Sequence, residues 1–391
     1  MLNLKKWFVR WGIPVVLLAA FVIFTVYINQ VDKVALVNRE GQTFEKGVVT
    51  EILQDNLQPN GTRVGEQRVL VRLTTGVRAG QELETTSASG YLFGADCTVG
   101  MRVIVLQSVA GDSTITSIYS QDREWVIYAF AAAYLVVLCL VGGKQGVKGA
   151  LGLVFTFFCI LFVYLPLVYR GLSPFWVSVF ICVITTLVTM YLIGGPTRKT
   201  LVATGGTVAG VVIAGISATI FSMATGITGW NVSDIESLLT LSSTSGVQVG
   251  GLLFSGLLIS SLGAVMDVAM SIGSAIAEIH AQNPALSRGE LFKAGMHVGR
   301  DMMGTDSNTL ILAFAGGSIS MLVLDYAYSL PYQQIINSNN IGIAIMQGLS
   351  GSFGIVLAVP VTVALAVALY TWKRPNRAET APAEDASRQT R

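Results

Sequence analysis

The chain has 391 residues, of which 52% are hydrophobic and 12% charged, with a mean hydropathy of +0.62 and a formal net charge of +2. Soluble domains carry about 25% charged residues, so an ordinary soluble enzyme of this length is excluded, and the same hydrophobicity excludes a disordered chain. A charge so close to neutral leaves no excess of base for a nucleic-acid partner. The composition is that of a polytopic membrane protein whose first partner is the lipid bilayer. Its 41 glycines suit helices packed closely in lipid.

A span needs roughly 20 mostly apolar residues. Trp7 to Tyr27 is the first such run, preceded by Lys5 and Lys6. It reads as an uncleaved signal anchor occupying residues 1–30. A cleaved signal peptide is the rival, but the run is long for one and no small-x-small site precedes Gln30. Residues 31–124 then turn polar, with nine Lys/Arg and twelve Asp/Glu. Short alternating runs at 47–53, 68–74, 101–107 and 113–119 are separated by turn signals such as Asn60-Gly61 and Gly111-Asp112. They predict a small all-β domain, a barrel or a sandwich. It holds no histidine and only Cys97, so neither metal binding nor Cys/His catalysis is supported.

Further apolar runs follow at 125–141, 150–168, 174–193, 201–220, 250–279, 302–324 and 341–372. The fold class expected is therefore mainly α-helical, with eight transmembrane helices and a small all-β extracytoplasmic domain between the first and second. Residues 125–372 form the seven-helix membrane domain, and 373–391, rich in Ala, Pro and charge, a disordered cytoplasmic tail. With the N-terminus inside, fifteen Lys/Arg fall in cytoplasmic segments and only Arg170 in a short outer loop. That is the positive-inside pattern, and it closes with both termini cytoplasmic. Cys139, Cys159 and Cys182 sit inside apolar runs and read as packing residues.

Ionisable residues within spans are costly and usually functional. In the run 250–279, Asp267 lies mid-span. Gly256, Ser260, Gly263 and Asp267 share a helical face that Ser271, Ser274 and Glu278 continue. The polar groups need partners away from lipid, so this face is expected to look into the bundle. For Ser271 and Ser274 the plainer reading is a hydroxyl bonded to its own helix. For Asp267 it is a static structural hydrogen bond, and for Glu278 a solvated charge at the boundary. The next span opens with Arg300, Asp301, Thr305, Asp306 and Asn308, and a short cytoplasmic link makes the two helices antiparallel neighbours. Arg300 and Asp301 also read as interface anchors, and His297 as a helix-end histidine. A buried carboxylate pair or Arg–Asp pair there would suit a proton relay. In the last span, Gly351 and Pro360 read either as packing plus a kink or as a hinge.

The strings LGAVMDVAMSIGSAIAEI, GRDMMGTDSNTLILAFAGG and LSGSFGIVLAVPVT resemble the YibE/F-like membrane protein family over roughly residues 120–370. The preceding β module looks like the N-terminal part of the YibE type. This resemblance implies a multipass bacterial membrane protein without naming an activity. An apolar residue is usual in the family where Asp306 stands, so the resemblance lends Asp306 no role. The element order from Gly250 to Ala368 also resembles half of the transmembrane core of the RND and SecD/SecF superfamily, with Asp267 at the aspartate position. That likeness implies use of proton-motive force. It also implies a facing partner, either a second copy or a YibF-like subunit.

Two functions compete. One is a proton-motive-force-linked transporter or permease subunit, acting through Asp267 and the Arg300–Asp301–Asp306 cluster. The other is a non-transporting scaffold or secretion accessory that displays the β domain outside the cell, for which Asp267 is dispensable. No catalytic residues, metal or cofactor are expected. The chain has no HExxH and no Ser/His pair, and its two histidines, His280 and His297, are too isolated for a metal site.

Overall fold

A computed structural model describes residues 13–31, 33, 39–88, 94–110, 113–232 and 234–371. The expected start of the first span at Trp7 and the expected disordered tail 373–391 lie outside the described residues. The chain divides into two units, residues 35–141 and residues 1–34 with 142–391.

The smaller unit is a closed five-stranded barrel in the order β1-β2-β3-β5-β4. Its strands are β1 (Gln42–Gln54), β2 (Glu66–Leu73), β3 (Glu82–Ala88), β4 (Arg102–Ala110) and β5 (Ser113–Gln121). All pairings are antiparallel except β3 with β5, where Thr86 lies opposite Ser117. The long β1 serves two neighbours: Gly47 is paired with Leu73 on one side and Val103 on the other. Alternation fills the interior. In β2, Gln67, Val69, Val71 and Leu73 point in, while Arg68 and Arg72 point out towards Glu84 and Glu82 of β3. The four alternating runs read from sequence fall on β1, β2, β4 and β5. Strand β3 was not among them.

Cys97 lies in the barrel core beside Val69 and Val103, and its backbone is clamped by the buried Gln67 amide, which accepts from Cys97 N at 2.8 Å and donates to Cys97 O at 3.1 Å. Burial pushes the Cys97 thiol up from its ordinary value. It therefore stays protonated and unreactive at neutral pH.

The larger unit is helical. Its described elements are α1 (Ile13–Asn29), α2 (Glu124–Cys159, its first part counted with the barrel unit), a π-helical turn (Ile160–Tyr164), α3 (Leu165–Tyr169), α4 (Pro174–Gly194), α5 (Arg198–Thr225), α6 (Ile235–Ser245), α7 (Leu252–Gln282), α8 (Arg288–Gly317), α9 (Ile319–Ala327), α10 (Tyr332–Ile336) and α11 (Asn339–Thr371). Five helical stretches are long and apolar enough to cross a membrane, and a sixth is α8 with α9, bent by 57° at Ser318. The runs expected as separate spans at 125–141 and 150–168 belong to one stretch, Glu124–Tyr169, of 46 residues. At about 1.5 Å per residue it exceeds twice a ~30 Å hydrocarbon core. It is broken at Gly143, whose φ of 52° and ψ of −133° no helix tolerates.

Glycines set the helix spacing. A side chain at Gly210 of α5 would meet Val265 Cγ1 at 2.5 Å, Ala358 Cβ at 2.9 Å and the Gly354 carbonyl at 3.0 Å. Gly206 is held as closely against Thr362. On α8, Gly295 and Gly299 lie against Ile276 and Ile272 of α7 and Val363 and Val359 of α11. The main core is accordingly Val265, Val268, Ile272 and Ile276 packed with Ile355, Val359 and Val363. Helix α1 docks through polar contacts: Asn29 Nδ2 donates to Phe162 O at 2.7 Å, a carbonyl of the π-helical turn, and Arg170 donates to Tyr27 O and Gln30 O.

Candidate functional site

Helix α7 has two faces. Leu253, Leu257, Ser261, Val265, Val268, Ile272 and Ile276 are buried against α5, α8 and α11. The face of small and polar residues is the outer one: Gly256, Ser260, Gly263 and Asp267 are all exposed. Where a Cβ would stand on Gly256 or Gly263 there is open space. The expectation that this face looks into the bundle is therefore corrected. The branched apolar face fills the core because it buries more hydrocarbon and interdigitates with the glycines of α8. A side chain at Gly263 would meet no other described residue, whereas Gly351 is closely packed. A side chain there would meet Leu310 Cδ2 at 2.5 Å and Ser261 Cβ at 3.3 Å. Pro360 sits inside α11, which continues through it as helix.

Helix α8 begins at a capping box in which Ser287 accepts from Glu290 N and the Glu290 carboxylate accepts from Ser287 N. It runs antiparallel to α7, as the short link requires. Gly299 lies at the level of Ile272, which brings the next turns of α8 up beside Asp267. Asp306 and Asp267 lie within electrostatic range of each other. The Asp306 Oδ2 atom is buried without a hydrogen-bond partner among the described residues, and so is the neighbouring Ser307 hydroxyl. The Ser307 carbonyl accepts a long contact, 3.4 Å, from Ser352 of α11.

The other expected residues divide. Arg300, Asp301, Thr305 and Asn308 are exposed, as is Gly304. Among the described residues Asp301 pairs with His297 alone, at 3.9 Å on the same helix, with both side chains more than three-quarters exposed. Neither belongs to a buried pair. Ser274 bonds Met270 O of its own helix at 2.6 Å, the plainer of its two readings, and Ser271 is half-buried. The chain thus brings Asp267 and Asp306 within electrostatic range and spreads Gly256, Ser260, Gly263, Gly304, Thr305 and Asn308 around them on a surface that the described residues leave uncovered.

Two polar features went unread in the sequence. Tyr164 of the π-helical turn and Ser255 of α7 share a hydrogen bond within the helical core. Nothing in the run around Tyr164 marks it out. Asp325 of α9 is 8% exposed, with an Oδ2 atom that has no partner among the described residues. It sits one residue beyond the run 302–324, and this position at a span end is the signal that could have found it. Among the described residues, no three His, Cys, Asp or Glu side chains cluster as a metal site would require.

No curated protein and no solved structure matches the chain. The family model described as YibE/F-like protein matches residues 130–372, which is more than half of the chain and includes α4 to α11 with both carboxylates. The chain belongs to the YibE/F-like family.

Proposed function

We propose that this YibE/F-like protein is a proton-motive-force-linked transporter or permease subunit of a bacterial cell membrane, and not an enzyme. The observation that carries the reading is Asp267: a carboxylate midway along an apolar helix, in range of Asp306, on a face that the described residues leave uncovered. An acid exposed to hydrocarbon is too costly to persist, so another protein surface or a water-filled path must meet it. The partner is a second copy of the chain or a YibF-like subunit, and the two carboxylates lie on the path between them. The test is proton flux into proteoliposomes carrying the wild-type chain or Asp267→Asn.

The proposed topology has eight crossings: α1, the two parts of Glu124–Tyr169 on either side of Gly143, α4, α5, α7, the bent pair α8–α9, and α11. The break at Gly143 lies beside Lys144 and Lys148, in keeping with a cytoplasmic turn. Both termini are then cytoplasmic and the barrel is outside the cell. Because Cys97 is buried, a membrane-impermeant maleimide should leave the wild-type barrel unlabelled. An Asn60→Cys chain should label in intact cells. Labelling of residue 60 only after lysis would reverse the orientation.

A further inference from the structure

The barrel unit carries a recess of about 450 Å³ that the proposed transport does not use. Lys46, Arg102, Asp122, Glu124, Trp125 and Tyr128 line it. Three of its four charges already have partners within the unit. Lys46 pairs with Glu124, and Asp122 accepts from Glu124 N at 3.1 Å, capping the start of α2. Arg102 differs. Its backbone carbonyl takes Asp122 N at 2.9 Å, but its guanidinium has neither an ion pair nor a hydrogen bond among the described residues.

The recess opens where α2 leaves the barrel, and its aromatic wall fixes its depth. Trp125 and Tyr128 are 69% and 62% exposed on the first two turns of an apolar helix, the position at which these rings lie among lipid headgroups. A guanidinium without a carboxylate partner, held at headgroup level, matches a phosphate, which it can bind through two parallel hydrogen bonds. The rest of the lining selects the remainder of the ligand. Two carboxylates against the single Lys46 ammonium leave this lining net negative, so it repels a second negative charge and attracts a cation. The carboxylates also accept N–H hydrogen bonds, which a primary ammonium can donate and a trimethylated one cannot.

We propose that this recess binds the headgroup of an aminophospholipid of the phosphoethanolamine type, its phosphate on Arg102 and its ammonium between Asp122, Glu124 and the two rings. The inference rests on α2 entering the membrane at Trp125 and not on transport.

The experiment is native mass spectrometry of the full-length chain in mild detergent with equal amounts of phosphatidylethanolamine, phosphatidylglycerol and phosphatidylcholine. Phosphatidylethanolamine should be retained in preference to both others. Arg102→Ala should reduce that retention about tenfold, the loss expected for one charge-assisted hydrogen bond. Arg72→Ala, whose arginine pairs with Glu82 on the barrel wall, should leave it unchanged. Soluble phosphoethanolamine should compete only in large excess, which separates a lipid ligand from a free headgroup. Preferential retention of phosphatidylglycerol, equal retention of all three lipids, or an unchanged Arg102→Ala would overturn the proposal. Displacement by equimolar soluble phosphoethanolamine would overturn its lipid part. The wild-type ranking decides the matter even if Arg102→Ala fails to fold.

Discussion

Asp267→Asn is expected to leave the protein in the membrane at wild-type abundance and to reduce proton flux to the level of protein-free liposomes. A relay group must alternate between charged and neutral forms, and an amide keeps the size and hydrogen bonding of the acid while losing that alternation. The substitution is mild for folding because the Asp267 side chain lies on the exposed face of α7, away from the Val265–Val268–Ile272 core. Asp306→Asn should reduce flux as well, since its carboxylate lies within electrostatic range of Asp267 beside the same surface. Asp301→Asn should have little effect, because Asp301 is exposed and among the described residues pairs with His297 alone. Flux is read with a trapped pH-sensitive dye at matched protein content. Wild-type flux from Asp267→Asn would remove the relay reading and put the scaffold function in front.

Gly210→Leu should destabilise the helical unit by about 3 kcal/mol, the upper end for overpacking a tight core. Two of the atoms that its Cβ would strike, the Gly354 carbonyl and Ala358 Cβ, belong to or sit directly on the α11 backbone and have no rotamer to escape into. The same substitution at Gly263 meets open space and should leave the thermal midpoint in detergent within a degree or so of wild type, on the order of a surface change. If α7 packs against another subunit there, however, Gly263→Leu should abolish co-purification of two differently tagged copies, or of a YibF-like partner. Equal loss of thermal stability in both variants would mean that the two glycines do the same work.

The sequence and the structure agree where a pattern is periodic and buried. Strand β2 alternates valine and leucine with arginine, and its register in the barrel follows. Strand β3 escaped notice because its segment, ELETTSA, turns Thr85 and Ser87 inward, and a small polar interior side chain carries no alternation signal. Ser87 can sit inside because its hydroxyl donates to Ala95 O and accepts from Ala95 N. The bend at Ser318 was hidden in an apolar run, although Gly316-Gly317-Ser318 marks it once seen. Periodicity found the Gly256–Asp267 stripe of α7 correctly and gave no indication of its direction. A polar stripe turns towards whatever satisfies it. A chain whose partner is another molecule displays the same spacing as one that buries the stripe within itself. Pairing of Asp267 with Asp306 was legible from the short link between their helices. Exposure of Arg300 and Asp301 was legible only as one of two alternatives, because one turn of helix separates an interface anchor from a buried ion pair.

The most direct measurement is photo-crosslinking in native membranes with benzoylphenylalanine in place of Asn308, on the surface around Asp267 and Asp306, compared with the same probe in place of Leu357. Both positions are exposed, but Leu357 lies on an apolar face of α11 suited to lipid. The account predicts a protein adduct from position 308, to a second copy of the chain or to a YibF-like subunit, and lipid adducts alone from position 357. Lipid adducts alone from both positions would contradict it, because the face that carries Asp267 would then have no partner.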